Sequence, residues 1–298
     1  MTFRGSFWFR GGILSYISEM SSRYARPLLA IAGLTGIWLA WSQNQQPAQL
    51  NVEKVTDNVY VIIGSGGNVA FMPTSEGVVL VDDKFAQDGP QILAKVKAVT
   101  DKPIRYVLNT HHHGDHTGGN QALLAANAEI ILHKNARANM VKGEQPGIPR
   151  LTFSDESQVF LGGREVVARY LGRGHTNGDV VIYFPSERVL HTGDLFTNGA
   201  PFCDTNSNCS IKEWDETLKR ALTYDVDAVI PGHGPVMKKA DLAKYVTTVA
   251  AFRDHVRKAC QAGSPDDAAK RLDLSDMGLT LTPTTVRGVP GMCKELSQ

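Results

Sequence analysis

Asn109-Thr110-His111-His112-His113-Gly114-Asp115-His116-Thr117-Gly118-Gly119-Asn120 places four of the chain's nine histidines and one carboxylate within six residues. Neutral imidazole nitrogens and an ionised carboxylate form a ligand set suited to zinc. The preceding Ile104-Arg105-Tyr106-Val107-Leu108 is a short run of strand type, and the glycines at 114, 118 and 119 break it directly afterwards. His111 and His113 are two residues apart and project to one side near a strand end. Asp115 and His116 follow after the chain has begun to turn, so they point at a second position nearby. Two adjacent metals are the expectation. The competing readings are a surface histidine cluster or repeated core histidines.

Working outward, the same rhythm of short apolar strands and turns recurs. Val59–Ile63, Asn68–Met72 and Gly77–Asp82 read as three consecutive strands. A helix follows with Ile92, Val96 and Val99 on its core side. Beyond the histidine loop come a helix at 120–126, a strand at Glu129–His133 and a short helix through Met140. The Gly- and Pro-rich stretch from Gly143 to Phe153 reads as an irregular, mobile wall over the site. Strands at 158–161, 165–170, 179–184, 188–191 and 228–230 then repeat the plan. Ser210 with Glu213 is read as a capping box opening a helix whose Ile211, Trp214, Leu218 and Ala221 form one apolar stripe. A longer helix with Leu242, Tyr245, Val249, Phe252 and Val256 inward follows Pro235. After it come a shorter helix near Pro265–Leu272 and an irregular end to the helical tail. Two such blocks imply two packed sheets covered outside by helices, an α/β four-layer sandwich of αβ/βα type.

The 298 residues are 42% hydrophobic and 20% charged, an ordinary globular balance with room for a large core. Four of the 31 basic residues and one of the 30 acidic ones precede residue 43, which leaves 27 against 29 in the remainder. No basic stripe exists to hold a nucleic acid, and a small-molecule substrate is expected instead. Arg23 and Arg26 ahead of the apolar run from Pro27 to Trp41 resemble an export signal, with Met20 as a possible start and cleavage expected after Ser42. An uncleaved membrane anchor is the alternative, although the run is short for a span of about 20 residues. Residues 1–42 are thus read as signal peptide, 43–50 as linker and 51–298 as the folded domain. After cleavage no stable membrane insertion is expected, and the mature chain is placed in the periplasm or outside the cell. Cys203, Cys209, Cys260 and Cys293 then favour two disulfides. Pairing 203 with 209 closes a short loop, and pairing 260 with 293 ties down the C-terminal tail.

Three further motifs sit where strands end: Gly172-Arg173-Gly174-His175-Thr176-Asn177-Gly178-Asp179, His191-Thr192-Gly193-Asp194 and Pro231-Gly232-His233-Gly234-Pro235. Taken in order with the first cluster, they resemble the metallo-β-lactamase superfamily from about Val55 to Tyr245. That resemblance implies the same sandwich, with the site at one edge between the sheets. It implies two zinc ions per chain: His111, His113 and His175 on the first, Asp115, His116 and His233 on the second, and Asp194 bridging both. His112 falls at a variable position of the motif, and His133, His191 and His255 match no ligand position. Asp82, at a strand end, is the candidate acceptor that orients a ligand loop.

Such a centre activates water for hydrolysis, and Asp115 or Asp194 would orient the nucleophile or return a proton. An aspartate at 194 differs from the cysteine of one large group of zinc β-lactamases and is closer to glyoxalase II and lactonases. Yet the tail after His233 looks short for a glyoxalase II helical domain, and Thr197 stands where quorum-sensing lactonases carry tyrosine. The leading expectation is cleavage of an amide or ester, β-lactams included. The alternatives are a glyoxalase II-like thioesterase or lactonase, an iron-dependent oxidoreductase, and a non-catalytic binding protein on the same fold.

Overall fold

Alternation within single strands builds a layered molecule. The computed structural model describes residues 49–298. In β4 (Val78–Val81), Val79 and Val81 face one apolar cluster while Val78 and Leu80 face another. Side chains of a strand alternate between faces, so a strand apolar at every position must be covered on both.

The first sheet runs in the order β1 (Asn51–Lys54), β2 (Tyr60–Ile63), β3 (Val69–Pro73), β4, β5 (Ile104–Leu108), β6 (Glu129–His133), β7 (Leu151–Phe153). Its first four strands are antiparallel neighbours, and β4 to β7 are parallel. Parallel neighbours need crossovers, and α1 (Gly89–Lys97), α2 (Asn120–Ala125) and α3 (Lys134–Lys142) supply elements of them. The second sheet runs β12 (Ala228–Ile230), β11 (Val189–His191), β10 (Val180–Phe184), β9 (Arg164–Tyr170), β8 (Glu156–Leu161). Only β11 and β12 are parallel there.

Val61, Met72, Val81, Val166, Ile182 and Phe184 share the cluster between the two sheets. Ile92, Val96 and Leu123 cover the outer face of the first sheet. α4 (Trp214–Ala221), α5 (Lys239–Gln261) and α6 (Pro283–Leu296) cover the second. Trp214, fully buried there, donates its indole N–H to Leu195 O at 2.9 Å. A large apolar side chain removed from water contributes about 1.5–3 kcal/mol, and the bonded N–H avoids the penalty of a buried orphan donor. The expected αβ/βα four-layer sandwich is the observed fold.

Several expectations are corrected. α1 ends at Lys97, so Val99 lies past the helix and is 37% exposed. α4 begins at Trp214, which leaves Ile211 in the preceding turn, though buried in the same cluster. Ser210 Oγ does accept from Glu213 N at 3.1 Å, but the Glu213 carboxylate pairs with Arg173 rather than completing a capping box. Residues 151–153 are the parallel edge strand β7, so the end of the supposed mobile wall is tied into the first sheet. The supposedly irregular end of the chain is α6, fourteen residues begun by Thr282 Oγ1 accepting from Thr285 N. Cys203–Cys209 and Cys260–Cys293 are both bonded, in the pairing expected. The export segment and most of the linker lie outside the described residues.

Candidate metal centre

The site grows from the ends of β4, β5, β11 and β12. Asp82 follows β4 in the left-handed region, at φ 60°. A non-glycine residue there costs about 1–3 kcal/mol unless its surroundings hold it. Here the fully buried carboxylate does the holding: Oδ1 accepts from Thr110 N at 2.7 Å, and Oδ2 accepts from Thr110 Oγ1 at 2.8 Å and from His116 Nδ1 at 2.7 Å. His111 Nδ1 lies 3.1 Å from Thr110 Oγ1, whose own proton goes to Asp82, so the imidazole donates. One carboxylate thereby fixes the tautomers of two histidines and aims both Nε2 lone pairs at the site.

His113 and His175 are oriented separately. His175 Nδ1 donates to Phe202 O at 2.6 Å, and His113 Nε2 donates to Asp204 Oδ2 at 3.0 Å. The remaining nitrogens converge, with His113 Nδ1 standing 3.1 Å from His111 Nε2 and 2.9 Å from His175 Nε2. Ligands held about 2.0–2.1 Å from a tetrahedral zinc sit about 3.3 Å from one another, close to this spacing.

Asp194, in the turn after β11, joins this triad to a second group. Its Oδ2 is 3.6 Å from His175 Nε2, while its Oδ1 is 3.3 Å from both His116 Nε2 and His233 Nε2. Asp115 Oδ2 closes the second group, 3.3 Å from His233 Nε2 and 3.7 Å from His116 Nε2. His116 Nε2 and Asp194 Oδ1 are buried with no hydrogen-bond partner among the described residues. Unpaired buried acceptors aimed at one point call for a cation between them. The donor set, all imidazole and carboxylate, fits zinc. All seven residues expected as ligands, and Asp82 behind them, are brought together.

Backbone closeness builds the second group. A Cβ on Gly232 would lie 1.9 Å from Asp194 Oδ1, and one on Gly67 would lie 2.1 Å from the His116 ring. Only glycine leaves room at either place. Fully buried Lys84 pins the Gly67 turn by donating to Ser65 O at 3.0 Å and Gly67 O at 2.6 Å.

The electrostatics separate the two groups. Burial pushes His111 well below the ordinary imidazole range and His175 to about 4, so both stay neutral. Burial also opposes charge on His116 and His233, but Asp194 and the other nearby carboxylates outweigh it. They hold His116 well above its usual value and His233 at about 9. Without a metal the carboxylates favour a proton on each of these two rings, and a metal would take the place of those protons. Asp194 is in turn held well below the carboxylate range: burial acts against ionisation, and His116 and His233 overcome it.

The other histidines lie outside the group of seven. His112, buried, places Nε2 3.0 Å from Ser207 Oγ. His133 stacks on Tyr170 with ring centres 4.3 Å apart, and its Nδ1 accepts from Asn135 N at the start of α3. His191 donates from Nε2 to Asn68 O at 3.1 Å and accepts at Nδ1 from Gly193 N, holding the Asp194 turn from behind. His255 meets Asp276 on the far side of α5 at 3.2 Å.

A cavity of about 490 Å³ opens over the cluster, lined by His113, Asp115, Phe85, Phe202, Asp204 and Arg287 among others. The Gly143–Phe153 stretch, expected as its wall, contributes no lining residue. The wall comes from the loop inside the Cys203–Cys209 disulfide and from α6. Asp204, Phe202 and Arg287 were missed from the sequence. Asp204 carried one usable sign, a carboxylate between closely spaced cysteines in Cys203-Asp204-Thr205-Asn206-Ser207-Asn208-Cys209.

The profile of the Metallo-beta-lactamase superfamily matches residues 58–233, ending on the last of the seven clustered residues. A metallo-beta-lactamase type 2 from Elizabethkingia meningoseptica is 27% identical over 187 residues, spanning 58% of this chain and 71% of its own length. The 2,4-dinitroanisole O-demethylase subunit alpha of Nocardioides sp. (strain JS1661) is 25% identical over 240 residues, spanning 77% of this chain and 70% of its own. Among solved structures, a metallo-beta-lactamase from Pontibacter korlensis superposes with a TM-score of 0.62 at 23% identity, covering 68% of this chain and 99% of that one. The DIM-1 metallo-beta-lactamase does so with a TM-score of 0.60 at 20% identity, covering 69% and 99%.

Proposed function

The chain belongs to the metallo-β-lactamase superfamily of metal-dependent hydrolases, and from that membership we propose a binuclear zinc enzyme that hydrolyses amide or ester bonds, β-lactams among them. The observation that carries this reading is the shared carboxylate of Asp194, with Oδ2 toward the His111–His113–His175 triad and Oδ1 toward His116 and His233. His111, His113 and His175 are proposed to hold one zinc, Asp115, His116 and His233 the other, with Asp194 between them. Zinc at such a site lowers the pKa of water from 15.7 towards about 7 and polarises a substrate carbonyl.

The chain's own residues then have defined work. Asp115 lines the cavity and is held ionised at about 2; burial raises it, and the neighbouring His116 and His233 more than reverse that. It is placed to accept a hydrogen bond from the attacking water. As the water oxygen bonds to the carbonyl carbon and the carbon–nitrogen or carbon–oxygen bond breaks, the water's proton passes by way of Asp115 to the leaving atom. Phe85 and Phe202 give the cavity an apolar side against which a substrate can pack.

Two disulfides suit an oxidising compartment, which supports export of the chain. Residues 1–42 are proposed as a cleaved signal, 43–50 as a linker and 51–298 as the mature enzyme. No described helix is long and apolar enough to cross a membrane. A second reading, cleavage of an aryl methyl ether, is favoured by one observation: the demethylase subunit matches more of this chain than the β-lactamase does. Metal analysis followed by a substrate panel tests both. Two zinc per chain with hydrolysis of a β-lactam or ester is the expected result. About one iron per chain with oxygen consumption overturns it, and zinc with turnover of an anisole alone selects the second reading.

A further inference from the structure

α6 is attached to the rest of the molecule at three points. Cys293 is bonded to Cys260 on α5, and the Glu295 carboxylate accepts from Ser210 Oγ at 2.5 Å and from Ile211 N at 2.9 Å. The third is a flush contact made by two glycines. A Cβ on Gly288 would lie 2.6 Å from Cys203 O, and one on Gly291 would lie 2.4 Å from Thr205. Anchored in this way, the helix brings Arg287 to the cavity that holds His113 and Asp115.

Arg287 is exposed, and among the described residues no hydrogen bond or ion pair engages its guanidinium. Both carboxylates of the cavity are committed elsewhere. Asp204 accepts from His113, Ser207 and Asn206, and Asp115 faces His116 and His233. Arg287 is the one arginine or lysine lining the cavity. A guanidinium offers paired donors that match a carboxylate, and such charge-assisted pairs are roughly twice as strong as neutral ones. Phe85 and Phe202 supply an apolar stretch in the same cavity.

We infer that Arg287 determines specificity by binding a carboxylate of the substrate, so that the preferred substrates are anionic esters or amides with an apolar segment beside the cleaved bond. This deepens the hydrolase reading and rests on it. The test compares mono-(4-nitrophenyl) glutarate with neutral 4-nitrophenyl butyrate on the zinc-loaded full chain. Arg287→Gln should raise KM for the anionic ester about tenfold and leave its kcat and both constants for the neutral ester within about twofold, with Arg287→Lys recovering part of the loss. Equal effects on both esters, or none on either, overturn the inference. If the wild type cleaves neither ester, the ester part of the proposed function has failed separately, and calorimetry of 4-phenylbutyrate on the metal-free full chain decides the role of Arg287. Binding weakened about fivefold or more by Arg287→Gln sustains it. Unchanged or undetectable binding to the wild type overturns it.

Discussion

His113 Nε2 lies 3.0 Å from Asp204 Oδ2, so a ring in the histidine loop is oriented by a carboxylate ninety-one residues later in the chain. Asp204 also accepts from Ser207 Oγ at 2.6 Å, and both residues sit inside the Cys203–Cys209 loop. Removing the acceptor behind a metal-binding histidine typically weakens metal binding about 10–100-fold. Asp204→Asn should therefore lower zinc affinity by about that factor, read by chelator competition, and activity should return at high zinc. His133→Ala, whose ring packs on Tyr170 away from the cluster, should leave activity within severalfold of wild type. Equal loss in the two variants contradicts the assignment.

Asp82 is bonded to both Thr110 and His116. Asparagine tolerates its left-handed backbone and nearly matches its size, so Asp82→Asn tests the carboxylate itself. The variant should bind both metals more weakly. Its melting temperature should fall, because a buried hydrogen-bonded charge is lost while its donors remain, a change of about 1–3 kcal/mol. Unchanged zinc content and melting temperature would refute this.

A proton is expected to leave when metal enters. In the metal-free chain His233 titrates at about 9, with Asp194 and Asp115 overriding the opposing effect of burial. At pH 7.5 it is protonated, and a metal requires the neutral ring. Calorimetry of zinc binding in buffers of different ionisation enthalpy should show proton release at pH 7.5, fading as pH passes about 9. The sign also holds for stability without metal. A raised histidine value stabilises the fold fully below about pH 6.5 and loses that contribution as pH rises through about 9.

Gly232→Ala should weaken binding at both groups, since Asp194 is shared between them, while leaving most of the fold. The new methyl would fall 1.9 Å from Asp194 Oδ1, but the residue lies in a turn outside the apolar clusters. Circular dichroism close to wild type, with zinc content reduced by at least half, is the expected pair of results.

Breaking Cys260–Cys293, by changing both to serine, should destabilise the chain by about 2–4 kcal/mol, since the bond closes a loop spanning 33 positions. Denaturant unfolding measures it. Zinc content at low temperature should be unchanged, because none of the seven clustered residues lies on α5 or α6.

The fold was legible because β3, β4 and β10 are apolar at nearly every position, a pattern only a doubly covered strand sustains. β1, with Asn51, Glu53 and Lys54 exposed, carries no such pattern; it is a sheet edge held by backbone bonds to β2. The clustering of these histidines and carboxylates was legible because His111 to His116 are contiguous and His175, Asp194 and His233 each sit in a glycine-marked turn. Asp204 and Arg287 were not, since a lone charged residue shows its role only once the chain has brought it to a partner. α6 was hidden for a similar reason: Gly288, Pro290 and Gly291 are poor helix formers, and tertiary contacts override their preference.

One part of the cavity wall is separated from the clustered residues along the chain, the last of these being His233 and the wall helix α6 starting at Pro283. The Cys260–Cys293 bond therefore fastens a part of the wall that shares no element with the seven clustered residues, so the lining of the cavity can vary while the cluster behind it stays the same.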